Sequence, residues 1–581
     1  MPRTHSRLRL LALLGAALVA SCRPAAVDGT RADAPRLAFP AEWRFPAGSL
    51  QATFAPRAMV TSNSELAAQA GVEIMRQGGN AVDAAVAVGF AMAVTYPEAG
   101  NLGGGGYMVI RLADGREAAI DYREVAPLTA SRDMYLDAQG KLTDRSVVGY
   151  LASGVPGAVA GMSEALAKYG TMSLSQVLAP AIRLARDGFV VDSTLARSLA
   201  GSADLITQFE GAKVFFPGGR PLAVGTRLRQ PALARTLEAI ASGGSAAFYK
   251  GWPADSIAAA MRRGGGNITT ADLASYQPKW RTPVRTSFRG HTLISMPPSS
   301  SGGVTIAETL NILDALGPLP PHGSTAWTHL LASAYQRAFV DRNEKLADPD
   351  VVQVPVERLT SKAYARRLAA TIDHERATPT PELAREMAEA TETTHYSVVD
   401  AKGNAVATTT TINSLYGSGV YIPGTGIFMN NEMDDFAAQP GKPNQFGLVQ
   451  GEANAVAPGK RMLSAMSPTI VLDGRDQVKM VVGSRGGPRI ITGTSQIILN
   501  VLVHRMSLAD AFAAPRLHHQ ALPDRITFET NGLFPAVQDS LRRMGHSLGT
   551  GSNGLPNAIV RVNGGWQGMV DPRGDGGAVG Y

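Results

Sequence analysis

The chain has 581 residues, of which 45% are hydrophobic and 18% are charged, and this core-rich composition excludes disorder over most of its length. Its formal net charge of +7 is too small for a chain of this size to indicate a nucleic-acid partner. The single cysteine, Cys22, excludes a disulfide framework and cysteine-based zinc or iron–sulfur sites within one chain. The ten histidines have no metal-binding spacing, so we predict no metal site.

The N-terminus has the layout of a secretion signal. Three arginines precede an apolar run of 11 residues, 10–20, which is too short to span a bilayer of about 30 Å. The Val-Ala-Ser-Cys string that follows and ends at Cys22 resembles a bacterial lipobox, in which the cysteine is lipidated. We therefore predict a lipoprotein signal over 1–21, a tether over 22–51 and a location in the Gram-negative periplasm or outer membrane. A cleaved signal with an incidental cysteine is the alternative.

Regular structure is predicted to begin shortly after the tether. The capping-box pattern from Ser62 to Glu65 predicts a helix that ends near Arg76. The nearly continuous apolar stretch 81–94 predicts a second helix that is buried on all sides. The four glycines 103–106 precede a predicted strand, whereas a nucleotide-binding loop would follow one, so we do not predict a phosphate site there.

A polar segment that ends at Glu392 is followed by a predicted β-hairpin dense in hydroxyl groups. Its strands are 393–400 and 405–411, joined by a Gly-Asn turn. His395 and Thr393 share a face of the first strand, but two residues along a strand span about 6.5 Å. That separation exceeds hydrogen-bond reach, so we do not expect a direct His–Thr pair.

A threonine hydroxyl needs a base beside it before it can act as a nucleophile. The α-amine of the same threonine is such a base, because it titrates at about pH 7.7 to 8, but it is free only when the chain is cut immediately before that residue. In this chain the cut would fall between Glu392 and Thr393.

The sequence of residues 393–400, Thr-Thr-His-Tyr-Ser-Val-Val-Asp, resembles the start of the small subunit of γ-glutamyltransferases, which are N-terminal nucleophile hydrolases. The resemblance extends over about 59–581. It implies an α+β fold, a four-layer αββα sandwich formed jointly by two self-cleaved fragments. These fragments would be 52–392 and 393–581, a heterodimer made when the first hydroxyl of the second fragment attacks the preceding carbonyl.

The resemblance also implies the reaction. Thr393 would take a γ-glutamyl group from glutathione or a related amide and pass it to water or to an amino acid or peptide acceptor. No metal or organic cofactor is implied.

Several positions of this chain resemble functional positions of the family. Thr411 resembles the threonine whose hydroxyl supports the nucleophile, and Gly486 and Gly487 resemble the oxyanion loop. The other positions resemble the substrate-binding residues: Asn413 contacts the substrate, Glu432 and Asp435 hold its α-amino group, and Arg123 and Ser464 hold its α-carboxylate.

Chemistry supports these assignments independently. An amino acid head group needs one anion and one cation held apart, and arginine binds a carboxylate bidentately. A glycine pair between a strand and a helix lets an acyl carbon approach backbone N–H groups. Taken alone, Arg123 would be read as part of a surface ion pair and the threonine-rich hairpin as a sheet edge. Their joint order, with Thr411 18 residues after Thr393, favours a site.

The sequence departs from the family pattern at two positions. Ala465 stands where the second of two paired serines is expected, and Phe446 stands where well-studied bacterial relatives have tyrosine. We expect Ala465 to weaken substrate binding by about 1 kcal/mol, the value of one neutral hydrogen bond. We expect Phe446 to loosen the lid over 439–460 and to favour hydrolysis over transfer.

Two alternatives stay open at the level of sequence. An acylase of the same superfamily, acting on glutaryl or cephalosporin-type side chains, would share the nucleophile but would need no anchor for an amino group, so Asp435 argues against it. A non-catalytic cell-envelope lipoprotein could keep the fold as a binding surface, and it would remain uncut.

Overall fold

The structure is a computed structural model that describes residues 38–380 and 393–581. The predicted signal over 1–21, the lipidation candidate Cys22 and the predicted cleavage residue Glu392 lie outside the described residues. Those expectations therefore stay predictions. Among the helices of the described ranges, none combines the length and the apolar character needed to cross a membrane.

The strands of the described residues are mostly short. In chain order they are β1 (Thr53–Ala55), β2 (Met59–Ser62), β3 (Gly105–Arg111), β4 (Glu117–Asp121), β5 (Phe189–Val190), β6 (Arg227–Leu228), β7 (Lys279–Arg281), β8 (Val284–Phe288), β9 (His291–Ser295), β10 (Thr394–Val399), β11 (Ala405–Thr411), β12 (Tyr421–Ile422), β13 (Ile427–Phe428), β14 (Thr469–Leu472), β15 (Val478–Arg485), β16 (Leu517–His518), β17 (Ile526–Phe528), β18 (Leu548–Thr550), β19 (Leu555–Val562), β20 (Gly565–Val570) and β21 (Gly577–Gly580).

The α-helices of the described residues lie mainly between strands β2 and β10. They are α1 (Glu65–Arg76), α2 (Ala81–Thr95), α3 (Ala158–Tyr169), α4 (Leu174–Asp187), α5 (Ser193–Gly201), α6 (Ala203–Ile206), α7 (Ala212–Phe215), α8 (Pro231–Tyr249), α9 (Trp252–Gly264), α10 (Thr270–Ser275), α11 (Gly302–Ala315), α12 (Thr325–Lys345), α13 (Val356–Leu359), α14 (Lys362–Ala369), α15 (Arg489–Leu502), α16 (Leu508–Ala513) and α17 (Pro535–Arg543). Short 3₁₀ turns cover Asp144–Ser146, Tyr150–Ala152, Pro217–Gly219, Glu432–Asp435 and Glu452–Asn454.

Two seven-stranded sheets organise the molecule. The first has the order β1-β20-β19-β15-β14-β9-β8, and the second has the order β21-β2-β10-β11-β3-β4-β7. Neighbouring strands are antiparallel throughout both sheets. Each sheet combines strands from before and after the predicted cut. The predicted α+β class with antiparallel sheets is therefore confirmed.

Successive residues of a strand point to opposite faces of a sheet. In both sheets, each of the two faces carries apolar side chains. Val109 and Ala407 of the second sheet pack in one buried cluster with Val481 of the first. The other face of the second sheet, which includes Val398, packs on α1 and α2. The other face of the first sheet, which includes Met480, packs on α11 and α15.

The first two predicted helices are confirmed, with one correction at the N-terminus of α1. The capping residue is Ser64, whose side chain accepts a hydrogen bond from the Ala67 N–H. Ser62 belongs to β2, and its hydroxyl donates to the Met92 sulfur at 3.0 Å and accepts from the Ser64 N–H at 3.2 Å. It therefore contacts the residue before the helix and not an N–H of the helix itself. Every residue of α2 is buried, as its apolar sequence predicts.

Residues 38–51, which we predicted as part of a tether, contact the folded body. Trp43 is buried and its indole Nε1–H donates to the Ala513 carbonyl at 2.8 Å. The Gly48 N–H donates to Asp510 Oδ1 at 2.8 Å. One aromatic side chain and a few hydrogen bonds therefore hold this stretch of the predicted tether against the body. The tether over 22–51 stays a prediction.

Candidate active site

One cavity collects most of the predicted site residues. It is lined by Arg123, Thr393, Thr411, Asn413, Glu432, Asp435, Ser464 and Gly487, together with Phe446 and Ala465. Gly486 lines a neighbouring cavity, which also contains Gly554. The described residues thus bring together side chains from four segments that are far apart in sequence.

Thr393 and Thr411 face each other because of the hairpin register. The antiparallel pairing of β10 with β11 puts Thr394 opposite Thr410, so one further step puts Thr393 opposite Thr411. Thr393 is buried, with 4% of its surface exposed. The Thr411 hydroxyl accepts a hydrogen bond from the Asn413 N–H at 2.7 Å. The 18-residue spacing noted in the sequence is therefore the spacing that the hairpin requires.

His395 is engaged elsewhere. Its Nδ1 lies 2.8 Å from the Thr409 hydroxyl and its Nε2 lies 3.0 Å from the Ser397 hydroxyl. Burial lowers the pKa of His395 to about 3, so the ring is neutral near pH 7. Both ring nitrogens have hydroxyl partners, which leaves no nitrogen directed at Thr393.

The glycine pair forms a loop between β15 and α15. Gly486 has φ of +123° and Gly487 has φ of +54°, both in the region that favours glycine. A Cβ at Gly487 would lie 3.0 Å from Cδ1 of Phe446, so the loop passes close beneath that ring. Within the described residues, neither glycine N–H donates a hydrogen bond, and free N–H groups at a helix entrance can receive a developing negative charge.

A buried ionic cluster lines the same cavity as Thr393. Glu432 and Asp435 occupy one 3₁₀ turn, in which side chains three residues apart lie over each other, and both contact Arg123. Nη1 of Arg123 contacts Glu432 and Nη2 contacts Asp435, while Nε donates to the Met462 carbonyl at 3.2 Å. The Glu124 carboxylate lies 3.7 Å from Nη1.

Three carboxylates therefore share one guanidinium. Burial raises the pKa of Glu124 to about 7 against the opposing attraction of Arg123. Burial also raises the pKa of Glu432 well above its usual range and raises that of Asp435. The acids outnumber the arginine, and burial favours their protonated forms. An ammonium group that entered the cluster would stabilise their ionised forms, so the cluster is suited to bind one.

Ser464 and Asn413 add neutral polar groups to the cavity lining. The Ser464 hydroxyl accepts a hydrogen bond from the Met466 N–H at 3.1 Å. The Ser464 carbonyl accepts from both the N–H and the hydroxyl of Ser301, at 2.8 Å and 2.6 Å. Asn413 has φ of +74° and donates from Nδ2 to the Asn431 carbonyl at 3.0 Å. These contacts fix the backbone at Ser464 and Asn413 and thereby position the serine hydroxyl and the asparagine amide.

Comparison with known proteins identifies the family of this chain. The family model described as gamma-glutamyltranspeptidase matches residues 67–581.

The chain belongs to the γ-glutamyltranspeptidase family.

The predicted resemblance is thus confirmed, and the chain is an enzyme of this family. It is 47% identical over 529 residues to the glutathione hydrolase proenzyme of Escherichia coli strain K12, covering 89% of this chain and 91% of that protein. It is 44% identical over 473 residues to the acylase ACY 1 proenzyme of Pseudomonas sp. strain SE83, covering 79% of this chain and 82% of that protein. The solved cephalosporin acylase of Bacillus halodurans superposes with a TM-score of 0.82 at 29% identity, covering 94% and 99% of the two chains.

Sequence reasoning missed two charged residues of this γ-glutamyltranspeptidase site. Glu124 follows Arg123 directly, but its sequence context predicts a surface ion pair, whereas the structure buries it completely. Arg342 lies in α12 and lines the cavity. No local signal distinguishes it from an exposed helical arginine, and only its tertiary environment places it beside Thr393.

Proposed function

We propose that the chain is an autoprocessed γ-glutamyl hydrolase and transferase that acts on glutathione and related γ-glutamyl amides. The observation that carries this proposal is the position of Thr393, at the start of β10, in a cavity that also holds a buried arginine and surplus carboxylates. The names of the relatives, glutathione hydrolase proenzyme among them, support both the substrate and the processing.

Autoprocessing is the first step of the proposed mechanism. The Thr393 hydroxyl attacks the Glu392 carbonyl carbon, the peptide C–N bond breaks, and the nitrogen of Thr393 takes up a proton. The resulting ester is hydrolysed by water, which leaves a carboxylate on Glu392 and a free α-amine on Thr393. That amine then serves as the general base of the reaction. His395 is not positioned for this role.

The catalytic cycle follows a ping-pong scheme. The α-amine of Thr393 accepts the proton of its own hydroxyl, and the oxygen attacks the γ-carbonyl of the donor. N–H groups of Gly486 and Gly487 stabilise the oxyanion, and the Thr411 hydroxyl supports the nucleophile across the hairpin. The leaving amine departs with the proton, and water or an acceptor amine then releases the γ-glutamyl group.

The ionic cluster recognises the amino acid head group. Glu432 and Asp435 would hold the α-ammonium, with Asn413 as a further contact. Arg123 and Ser464 would hold the α-carboxylate. Three acids around one arginine fit a substrate that brings its own positive charge.

We further propose the finer architecture and processing. The two sheets and their flanking helices would form a four-layer αββα sandwich, assembled as a heterodimer of residues 52–392 and 393–581. Strands from both fragments are hydrogen-bonded side by side in each sheet, which supports a stable association. Residues 1–21 would direct export, and lipidation of Cys22 would hold the enzyme at the Gram-negative envelope through the segment that follows it.

The acylase alternative deserves a direct test, because one relative of that name is 44% identical. A γ-glutamyl anilide and a glutaryl anilide differ only in the α-amino group. The γ-glutamyl donor is expected to have the higher kcat/KM by roughly 10²-fold or more, since the glutaryl donor leaves the buried carboxylates without an ammonium. Equal rates, or a preference for the glutaryl donor, would favour the acylase.

Ala465 gives a second test of the head-group site. Ala465 lines the cavity next to Ser464, so Ala465→Ser is expected to add one hydrogen bond and to lower KM for a γ-glutamyl anilide by roughly fivefold, equivalent to about 1 kcal/mol. The value of kcat should not change. Ala465→Cys is the matched control, because a thiol is a weak donor. An unchanged KM in Ala465→Ser would show that this position does not face the substrate.

A further inference from the structure

A second arginine lines the cavity that contains Thr393. Arg342 lies in the last turn of α12, and only 1% of its surface is exposed. None of the steps described above uses it. A fully buried arginine beside a reactive threonine calls for an explanation, because burying a cation is costly unless a partner compensates the charge.

Within the described residues, Arg342 has neutral hydrogen-bond partners but no ion-pair partner. Its Nε donates to the Ser301 hydroxyl at 3.1 Å, and its Nη1 donates to Asn343 Oδ1 at 2.9 Å. Its Nη2 makes no hydrogen bond in that part of the chain, and no carboxylate there lies within 4.0 Å. Burial lowers the pKa of Arg342 only to about 10, so the side chain is cationic at neutral pH.

Arg123 is in the opposite situation. All three of its guanidinium nitrogens have partners, two of them the carboxylates of Glu432 and Asp435. A substrate carboxylate that approached Arg123 would have to compete with those acids. At Arg342, the same carboxylate would meet an uncompensated charge and a nitrogen with donors to spare.

The position of Arg342 connects it to the serine of the head-group site. The Ser301 hydroxyl accepts from Arg342 Nε and donates to the Ser464 carbonyl at 2.6 Å. The same serine therefore fixes the arginine and the Ser464 backbone. Asp435 and Arg342 attract each other electrostatically, but within the described residues they form no ion pair.

We propose that Arg342 is a specificity-determining residue that binds the α-carboxylate of the γ-glutamyl donor beside Ser464. This inference rests on the proposed function of the cavity and adds a second guanidinium to it. The cavity then has two arginines for the carboxylate and a carboxylate cluster for the ammonium. Arg342 also provides binding at the end of the site where Ala465 lacks the expected hydroxyl.

The test compares two donors in three variants. The donors are γ-glutamyl 4-nitroanilide and its α-carboxamide analogue, which has the same shape but no negative charge. In Arg342→Gln, KM for the carboxylate donor is expected to rise by about 10-fold to 100-fold, the range for a hydrogen bond to a charged group. The carboxamide donor should change by less than about twofold, and kcat should be retained for both. Arg342→Lys should lie between wild type and Arg342→Gln.

Arg337→Gln is the matched control on the same helix. Arg337 bonds to Thr371 and is absent from the cavity lining, so neither KM should change. If Arg342→Gln fails to process, Asn343→Ala replaces it, because within the described residues the Asn343 side chain bonds only to Nη1 of Arg342. That variant should raise KM for the carboxylate donor alone, by a smaller factor.

The possible results separate this inference from the proposed function. Equal losses for both donors in Arg342→Gln or Asn343→Ala, or an unchanged KM in both variants, would overturn the carboxylate role while leaving wild-type hydrolysis intact. A wild-type enzyme that hydrolyses neither donor would instead contradict the proposed function and, with it, this inference.

Discussion

Replacing Thr393 with alanine is expected to leave the chain uncut and to lower γ-glutamyl anilide hydrolysis by at least about 10³-fold. The same hydroxyl would perform both reactions, so one substitution should abolish both. The loss of processing is measured by denaturing electrophoresis, which should show a single band near the full-length mass instead of two bands. The loss of hydrolysis is measured with the anilide at saturating concentration, where it should be a loss in kcat.

Thr393→Ser is the control for this experiment. Serine keeps the hydroxyl and the α-amine, so this variant should still be cut and should retain part of the activity. His395 offers no alternative route, because both of its ring nitrogens have hydroxyl partners. A Thr393→Ala protein that is still cut, or still active, would show that another residue is the nucleophile.

Arg123→Met is expected to cost about 3–5 kcal/mol of folding stability and to abolish activity, because it leaves buried carboxylates without their cation. Glu432 and Asp435 contact Arg123 directly, and Glu124 lies 3.7 Å away. The free energy of unfolding can be measured by denaturant titration. The double variant Arg123→Met with Glu432→Gln should recover part of the stability, since it removes one of the uncompensated charges, but none of the activity.

The stability deficit of Arg123→Met should depend on pH. Loss of the cation raises the folded-state pKa of the neighbouring acids further, above values that burial already elevates. An acid with a raised folded-state pKa contributes stability below its unfolded pKa and loses that contribution as pH rises through the folded pKa. The deficit should therefore be smaller at pH 5 than at pH 8.

An exposed arginine provides the comparison for this experiment. Arg132 pairs with Glu452 at the surface, and Arg132→Met should change neither stability nor activity measurably. If Arg123→Met were as stable as Arg132→Met and equally stable at both pH values, the ionic cluster would not have the energetic role described here.

The sequence predicts those parts of the fold and the site that depend on residues close together in the chain. The hairpin of β10 and β11 was predictable because two stretches dense in hydroxyl groups flank a Gly-Asn turn. Its register alone places Thr411 opposite Thr393. Helix α2 was predictable from its continuous apolar sequence. The capping residue of α1 was not, since Ser62 and Ser64 are both suitable and tertiary packing assigns Ser62 to a strand.

The remaining site features depend on contacts between distant segments. The burial of Glu124 follows from its packing against distant segments, among them those that hold Gly154 and Glu432. Its neighbours in sequence do not indicate this burial. Arg342 is separated from Thr393 by the whole of the polar segment before the predicted cut. The docking of Trp43 against Ala513 likewise joins the two ends of the chain, and no periodic pattern predicts it.

The most direct test of the account is to label the purified wild-type enzyme with a glutamate analogue that carries an electrophilic carbon in place of the γ-amide, and to analyse both fragments by mass spectrometry. The account predicts that the smaller fragment begins at Thr393 and carries one label on that residue. A smaller fragment with a different first residue, a label on any other side chain, or an intact unlabelled chain would contradict it.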